Sequence, residues 1–144
     1  MIQLFLISFV IIINISPPTY VEEFHNLKNK KDEFNFIKKY NKVNNPSVKA
    51  YVVAIEMKKA EYSLNPLTKL SIFNENKNKL NLLIDKNKNN IDLRYIRLLL
   101  QEKTPNILNY NKHINEDKLF LKDKLNVKDS SDFLDFYILN NTSL

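Results

Sequence analysis

The sequence predicts an all-α protein, with about five helices arranged as antiparallel hairpins after an N-terminal apolar leader. The chain of 144 residues contains no glycine, and β-folds of this size depend on glycine for the positive φ angles of their tight turns. Its loops are instead rich in asparagine and proline, which suit the ends of helices. A chain of this length fits one domain with a core of its own.

The N-terminus carries an uncharged apolar run over residues 1–13, followed by Pro17 and Pro18. This run is shorter than the ~20 residues that cross a bilayer, and it suits the apolar part of a secretory signal. No Lys or Arg precedes it, and no clean small-residue cleavage site follows. We predict a signal peptide or an N-terminal anchor over residues 1–18, with a buried N-terminal helix as a further alternative. The expected location is periplasmic or secreted, or membrane-anchored by residues 1–16.

A polar helix is predicted over residues 19–40, at the start of a single helical domain that spans residues 19–144. Thr19 and Glu22 have the spacing of a capping box, with Thr19 as the N-cap. Residues 26–32 are polar enough to break this helix or to leave it loosely packed. Its expected buried positions are Leu27, Phe34 and Ile37.

Three core helices are predicted over about residues 47–63, 66–85 and 91–103. Asn-Pro pairs mark the first two starts, because asparagine caps a helix and proline suits its first turn. The first helix is apolar almost all round and should be the central buried element. The second is amphipathic, and its apolar side carries Leu70, Ile72, Phe73, Leu80, Leu83 and Ile84.

A C-terminal cap is predicted over residues 115–139, after a helix end at Thr104-Pro105 and an ordered loop. Asn115 is the expected N-cap of its first helix, with two acids in the positive first turn. A last short helix should begin near Ser130. The expected core positions of the two helices are Leu119, Phe120, Leu125, Phe133, Leu134, Phe136 and Tyr137.

A weak internal repeat accompanies these helices. Residues 45–51 align with residues 89–95, and each segment opens a helix after a polar turn. Residues 82–97 look like the junction between tetratricopeptide units, although the period is longer than usual. Helical repeats build binding surfaces more often than active sites. A generic helical bundle is the alternative.

Short motifs between residues 60 and 118 carry a family resemblance. They are Asn65-Pro66-Leu67-Thr68-Lys69, Phe73, Asn89-Asn90, Leu93-Arg94-Tyr95-Ile96-Arg97-Leu98, Gln101, Pro105, Leu108, Tyr110-Asn111 and Glu116-Asp117-Lys118. This segment resembles a family of small, uncharacterised, secreted-looking proteins of Bacteroidetes. The resemblance implies helices and export, and it supplies no catalytic residue. Where the family pattern would have glycine, this chain has Asn109, which can fill a left-handed position.

The two arginines of the chain, Arg94 and Arg97, stand beside Gln101 on the narrow polar stripe of the helix predicted over 91–103. In a chain that otherwise prefers lysine, this choice indicates that the planar guanidinium is needed. One interpretation is a partly buried ion pair with an acid, for which Glu116 and Asp117 are favoured over Glu61 and Asp85. The other is a pocket for a carboxylate or phosphate ligand.

Most catalytic chemistries lack their residues in this sequence. Without cysteine there is no thiolate, disulfide or Cys-based metal site, and without glycine there is no phosphate-binding loop. His25 and His113 have no further ligands at metal-binding spacing. We therefore predict a non-enzymatic protein with no cofactor, no metal and no catalytic residue.

The net charge of +6 admits a nucleic-acid or envelope-surface binder as one alternative. The lysines are interleaved with acids, which gives no strong nucleic-acid signal, and membrane contact is expected only through the leader. The leading prediction is a protein-interaction or structural module, and the other alternative is a binder of a small anionic ligand at Arg94 and Arg97.

Overall fold

A computed structural model describes residues 15–144 and contains seven α-helices and no strand in this range. They are α1 (Thr19–His25), α2 (Lys30–Tyr40), α3 (Pro46–Lys58), α4 (Pro66–Lys86), α5 (Ile91–Lys103), α6 (Ile114–Leu125) and α7 (Asp135–Asn141). Short 3-10 helices span Lys59–Tyr62, Asn106–Leu108 and Asp132–Leu134. The predicted all-α class is confirmed. The leader predicted over residues 1–18 falls almost wholly outside the described residues, and from residue 15 onwards no helix is both long and apolar enough to cross a bilayer.

Asparagine side chains begin four consecutive helices, α2 to α5. Each side-chain oxygen accepts hydrogen bonds of 2.9–3.3 Å from backbone N–H groups of the first turn. These N–H groups have no partner inside the helix, so the cap stabilises the helix start. The capping residues are Asn29, Asn45, Asn65 and Asn90.

The three predicted core helices are present with nearly the predicted bounds. Their starts agree to within one residue, and proline occupies the first turn of α3 and of α4. The helix predicted over 47–63 is α-helical only to Lys58, because its last turn tightens into the 3-10 helix Lys59–Tyr62. This tightening is common at helix ends.

The helix predicted over residues 19–40 is in fact two helices, separated at residues 26–29. The Asn29 cap starts a new register, in which Glu33, Phe36 and Ile37 are buried. The prediction that Phe34 is buried was wrong: its side chain is 61% exposed. The Thr19 cap was also wrong, because Thr19 already lies inside α1 and α1 has no side-chain cap.

Helices α3 and α5 form the centre of the core. Ala50 and Tyr51 of α3 and Leu93 and Tyr95 of α5 are fully buried. Helix α3 packs against α1, α2, α4 and α5, and α5 packs in turn against α4 and α6. The apolar helix over residues 46–58 is therefore central, as its composition predicted. The tetratricopeptide-like arrangement stays a prediction.

The start of α6 and one of its predicted buried positions differ from the prediction. Helix α6 begins at Ile114, one residue before the predicted Asn115 cap, and no side chain caps it. Its buried stripe includes Asp117 and Leu121, so Leu119 turns outward and is 67% exposed. The stripe was misplaced because an acid occupies one of its core positions.

Phe136 of α7 is likewise exposed rather than buried, because Leu134 and Ile138, four residues apart, face the core instead.

The loop before α6 agrees with the prediction. Asn109 has φ 48° and ψ 40° and is the one residue of positive φ in the described range. Asparagine thus fills the left-handed position in place of glycine.

Candidate functional site

The arginine cluster, formed by Arg94, Arg97, Glu116 and Asp117, joins α5 to α6. Arg97 Nε donates to Asp117 Oδ2 at 2.6 Å, and Arg97 Nη2 donates to Asp117 Oδ1 at 2.6 Å. This is the two-pronged geometry that a guanidinium offers and an ammonium does not. Arg94 Nη1 donates to Asp117 Oδ1 at 2.9 Å and also to Glu116 Oε1. The structure brings four of the five predicted site residues into contact.

The arginine cluster is largely closed to solvent. Asp117 is fully buried, Arg97 is 3% exposed, and Arg94 is 9% exposed. The remaining Nε of Arg94 donates to the backbone oxygen of Lys88 at 3.2 Å. Hydrogen bonds from Arg94 and His113 lower the pKa of Glu116 to about 2. An external carboxylate or phosphate would have to displace these acids, so the geometry favours the ion-pair interpretation over the ligand site.

Gln101, the fifth predicted residue, lies one turn beyond Arg97 on α5. Its side chain forms no hydrogen bond within the described residues. Its amide oxygen and nitrogen are buried, as is the hydroxyl of Tyr110, which also lacks a hydrogen-bond partner there. Burial raises the pKa of Tyr110 to about 12. The Gln101 side chain is close enough to oppose this rise, although the two side chains form no hydrogen bond of good geometry.

A groove of about 690 Å³ is lined by residues that do not belong to the arginine cluster. Its floor contains Ile55 and Met57 of α3 and Leu99 of α5, each less than 5% exposed. The end of α1 with Leu27 and the start of α4 also line it. This volume falls within the range of pockets that bind ligands or the side chains of a partner. We call it the central groove.

Exposed apolar residues lie in the central groove and next in sequence to its lining. Leu70 lines the groove and is 46% exposed, although it lies on the side of α4 that was predicted to be buried. Leu67 follows the lining residue Pro66 and is 77% exposed, and Ile107 precedes the lining residue Leu108 and is 86% exposed. Scattered exposed apolar residues are normal, but a group beside a groove marks an interaction surface.

Charged residues of the central groove fall into a paired and an unpaired set. Glu33 is 3% exposed, and it accepts hydrogen bonds from Lys58 Nζ at 2.6 Å and from the Tyr62 hydroxyl at 2.7 Å. Lys69 and Lys103 also line the groove, but within residues 15–144 neither ammonium lies within 4.0 Å of a carboxylate oxygen. The groove therefore offers unused positive charge beside apolar surface.

His25 forms the polar end of the central groove. Its ring stacks on Tyr137, with centroids 4.3 Å apart, and its Nε2 lies 3.1 Å from the Tyr95 hydroxyl. The Tyr95 hydroxyl lies 3.3 Å from the backbone oxygen of Tyr137 and can bond both groups, since a hydroxyl both donates and accepts. Burial, and then the charge of Lys103, lower the pKa of His25 to about 4. The imidazole is therefore neutral at pH 7.

This depressed pKa predicts a pH-dependent stability. Above pH 6.5 His25 is neutral in both states, and between about 6.5 and 4 only the unfolded chain takes up the proton. The free energy of unfolding should therefore fall through this window as the pH is lowered. In His25→Phe, which keeps a ring against Tyr137, the fall should be shallower in urea titrations from pH 7 to 4. A His25 ring titrating near pH 6.5 by NMR would contradict this assignment.

Comparisons with protein-family models, curated proteins and solved structures find no match for this chain. No group of three or more His, Cys, Asp or Glu residues in the described part of the chain could hold a metal ion.

The central groove was not predicted from the sequence. Its one local signal was the leucine content at the start of α4, where Leu67 and Leu70 both remain exposed.

Proposed function

We propose that this protein is a non-enzymatic interaction module that binds another protein by taking an apolar segment of the partner into the central groove. On the basis of the sequence, we also propose that the module is helical-repeat-like and exported through its apolar leader. The order in which α3, α4, α5 and α6 pack supports the first of these two statements.

The observation that carries the proposal is the combination of a recessed apolar groove with the exposed Leu70 in its lining. Binding energy at protein interfaces concentrates in a few apolar side chains that fill pockets, surrounded by contacts that exclude water. Leu70 at the lip and the floor around Met57 provide such a pocket. Leu67 and Ile107, next in sequence to the lining residues Pro66 and Leu108, would extend the contact area.

The alternative function at Arg94 and Arg97 is less well supported, because Glu116 and Asp117 already occupy the guanidinium donors. The lysine excess supports a nucleic-acid or envelope binder only weakly. Several lysines pair with acids on the surface, as Lys39 does with Glu23 at 2.5 Å. Both arginines are held in the arginine cluster, so the exposed lysines offer point charges without the guanidinium geometry that suits phosphate.

The proposal predicts which peptides the full-length chain selects from a displayed library of random peptides. Enriched peptides should carry apolar residues at helical spacing, because a groove of this kind accepts one face of an amphipathic helix. Leu70→Glu, at the lip, should weaken the selected peptides by about tenfold or more, since ~1.4 kcal/mol corresponds to a factor of ten. Fluorescence anisotropy with labelled peptides measures the change.

The matched control is Leu82→Glu on the same helix. Leu82 is 59% exposed and lines a separate, smaller groove of about 330 Å³, so this variant should bind the peptides as the wild type does. Both variants are first checked for an unchanged melting temperature. Failure to enrich any peptide, or equal binding by Leu70→Glu, would count against the proposed function.

A further inference from the structure

The polar residues of the central groove indicate the chemistry of the segment that it binds. Glu33 is already used, because Lys58 and Tyr62 donate to its two oxygens. The other lining carboxylate, Glu61, is exposed on the 3-10 helix. The hydrogen bond from Lys58 to Glu33 raises the pKa of Lys58 most, and the nearby charge of Glu61 adds to this rise. The acids of the groove are thus grouped around Lys58.

Lys69 and Lys103 have no such partner. Neither forms an ion pair within residues 15–144, and residues 1–14 contain no Asp or Glu. The nearby Glu102 is engaged elsewhere, with Lys118 at 3.4 Å and with the backbone N–H of Ser143 at 2.9 Å. Both ammonium groups are therefore available to a negative charge that comes from outside the chain.

The positions of the two lysines relate this charge to the apolar surface. Lys69 immediately precedes the exposed Leu70 on α4, and Lys103 ends α5, next to His25. His25 is neutral at pH 7 and does not add to the positive charge. A ligand whose apolar group enters the groove would thus place its neighbouring groups beside Lys69 or Lys103.

We propose that the partner segment is an acidic amphipathic helix, whose apolar residues fill the central groove and whose Asp or Glu side chains pair with Lys69 and Lys103. This inference rests on the proposed function and specifies its partner. Complementary charges at the edge of an interface act mainly on specificity and on the rate of association. The charge of the partner should accordingly decide which apolar segments are accepted.

The test compares peptides selected on the full-length wild type with those selected on charge-reversal variants. The wild type should enrich Asp or Glu at fixed positions beside the apolar residues. Lys103→Glu and Lys69→Glu should each weaken those peptides by about five- to tenfold at low salt, and less at 1 M salt, because partly exposed pairs are screened. Repeated selection on either variant should enrich Lys or Arg at the same positions.

Lys86→Glu is the control, since Lys86 is exposed and lines the smaller groove; it carries the same change of net charge and should keep the acidic preference. Selected peptides without an acidic preference, or an equal loss with Lys86→Glu, would overturn the inference and leave the proposed function standing. If no peptide is selected at all, the proposed function fails and the inference fails with it.

Discussion

Replacing Asp117 by alanine is expected to lower the free energy of unfolding by about 3–5 kcal/mol, because it leaves two buried guanidiniums without their shared acid. Asp117 is fully buried and accepts from both Arg94 and Arg97. Glu116 is half-exposed and lies 3.6 Å from Arg97 Nη2, so it cannot take over the two-pronged contact. Urea unfolding followed by circular dichroism measures the loss.

Asp123→Ala is the matched control, because Asp123 lies on the same helix but is exposed and forms no ion pair within the described residues. It should change the stability by less than about 0.5 kcal/mol, as surface substitutions usually do. Arg97→Lys tests the same contact from the other side, and it should clearly lower the melting temperature, since lysine cannot make both hydrogen bonds. An unchanged melting curve for both Asp117→Ala and Arg97→Lys would refute the structural role of the arginine cluster.

The second large effect is expected from Tyr51→Phe, which removes the donor to a buried carboxyl group. The Tyr51 hydroxyl donates to Asp92 Oδ1 at 2.9 Å, and this contact joins α3 to α5. Tyr51 is fully buried and Asp92 is 5% exposed. A buried polar group that loses its hydrogen-bond partner costs about 1–3 kcal/mol, so a loss of that size is expected in urea unfolding at pH 7.

The loss caused by Tyr51→Phe should become smaller at acidic pH. Burial raises the pKa of Asp92, while the hydrogen bond from Tyr51 opposes that rise. As the pH falls and Asp92 takes up a proton, the hydrogen bond from Tyr51 stabilises the neutral carboxyl group less than it stabilises the carboxylate. Tyr110→Phe is the control: its buried hydroxyl has no partner in the described residues, so stability should be unchanged or slightly higher. Equal losses for the two variants would show that the Asp92 contact is not special.

Local signals were enough to predict where the three core helices begin. Asn45-Pro46 and Asn65-Pro66 combine a capping side chain with a residue whose φ already suits a first turn, so α3 and α4 start where predicted. The polar turn before Ile91 identified α5 in the same way. These signals act over a few residues, and tertiary packing does not have to be known to interpret them.

Buried positions were harder to predict, because they depend on the phase of a helix against its neighbours. Phe34 was misplaced since the Asn29 cap reset the phase of α2, and Leu119 since Asp117 occupies a core position of α6. The arginine cluster was predictable because rare arginines in a lysine-rich chain indicate a need for guanidinium geometry. The central groove was not, because a groove is defined by what fails to cover residues such as Leu70.

The reliance on asparagine caps has a consequence for the chemical ageing of the chain. Slow deamidation converts asparagine to aspartate, and in many proteins this introduces an unwanted charge. Asn45 and Asn65 are each followed by a proline, which has no backbone N–H to attack the side-chain amide, so these two caps are protected from the reaction. At Asn29 and Asn90 an aspartate oxygen would accept the same backbone hydrogen bonds, and its negative charge would face the positive end of the helix. Where the product keeps the ordinary backbone, these two helix starts would therefore be kept or even stabilised.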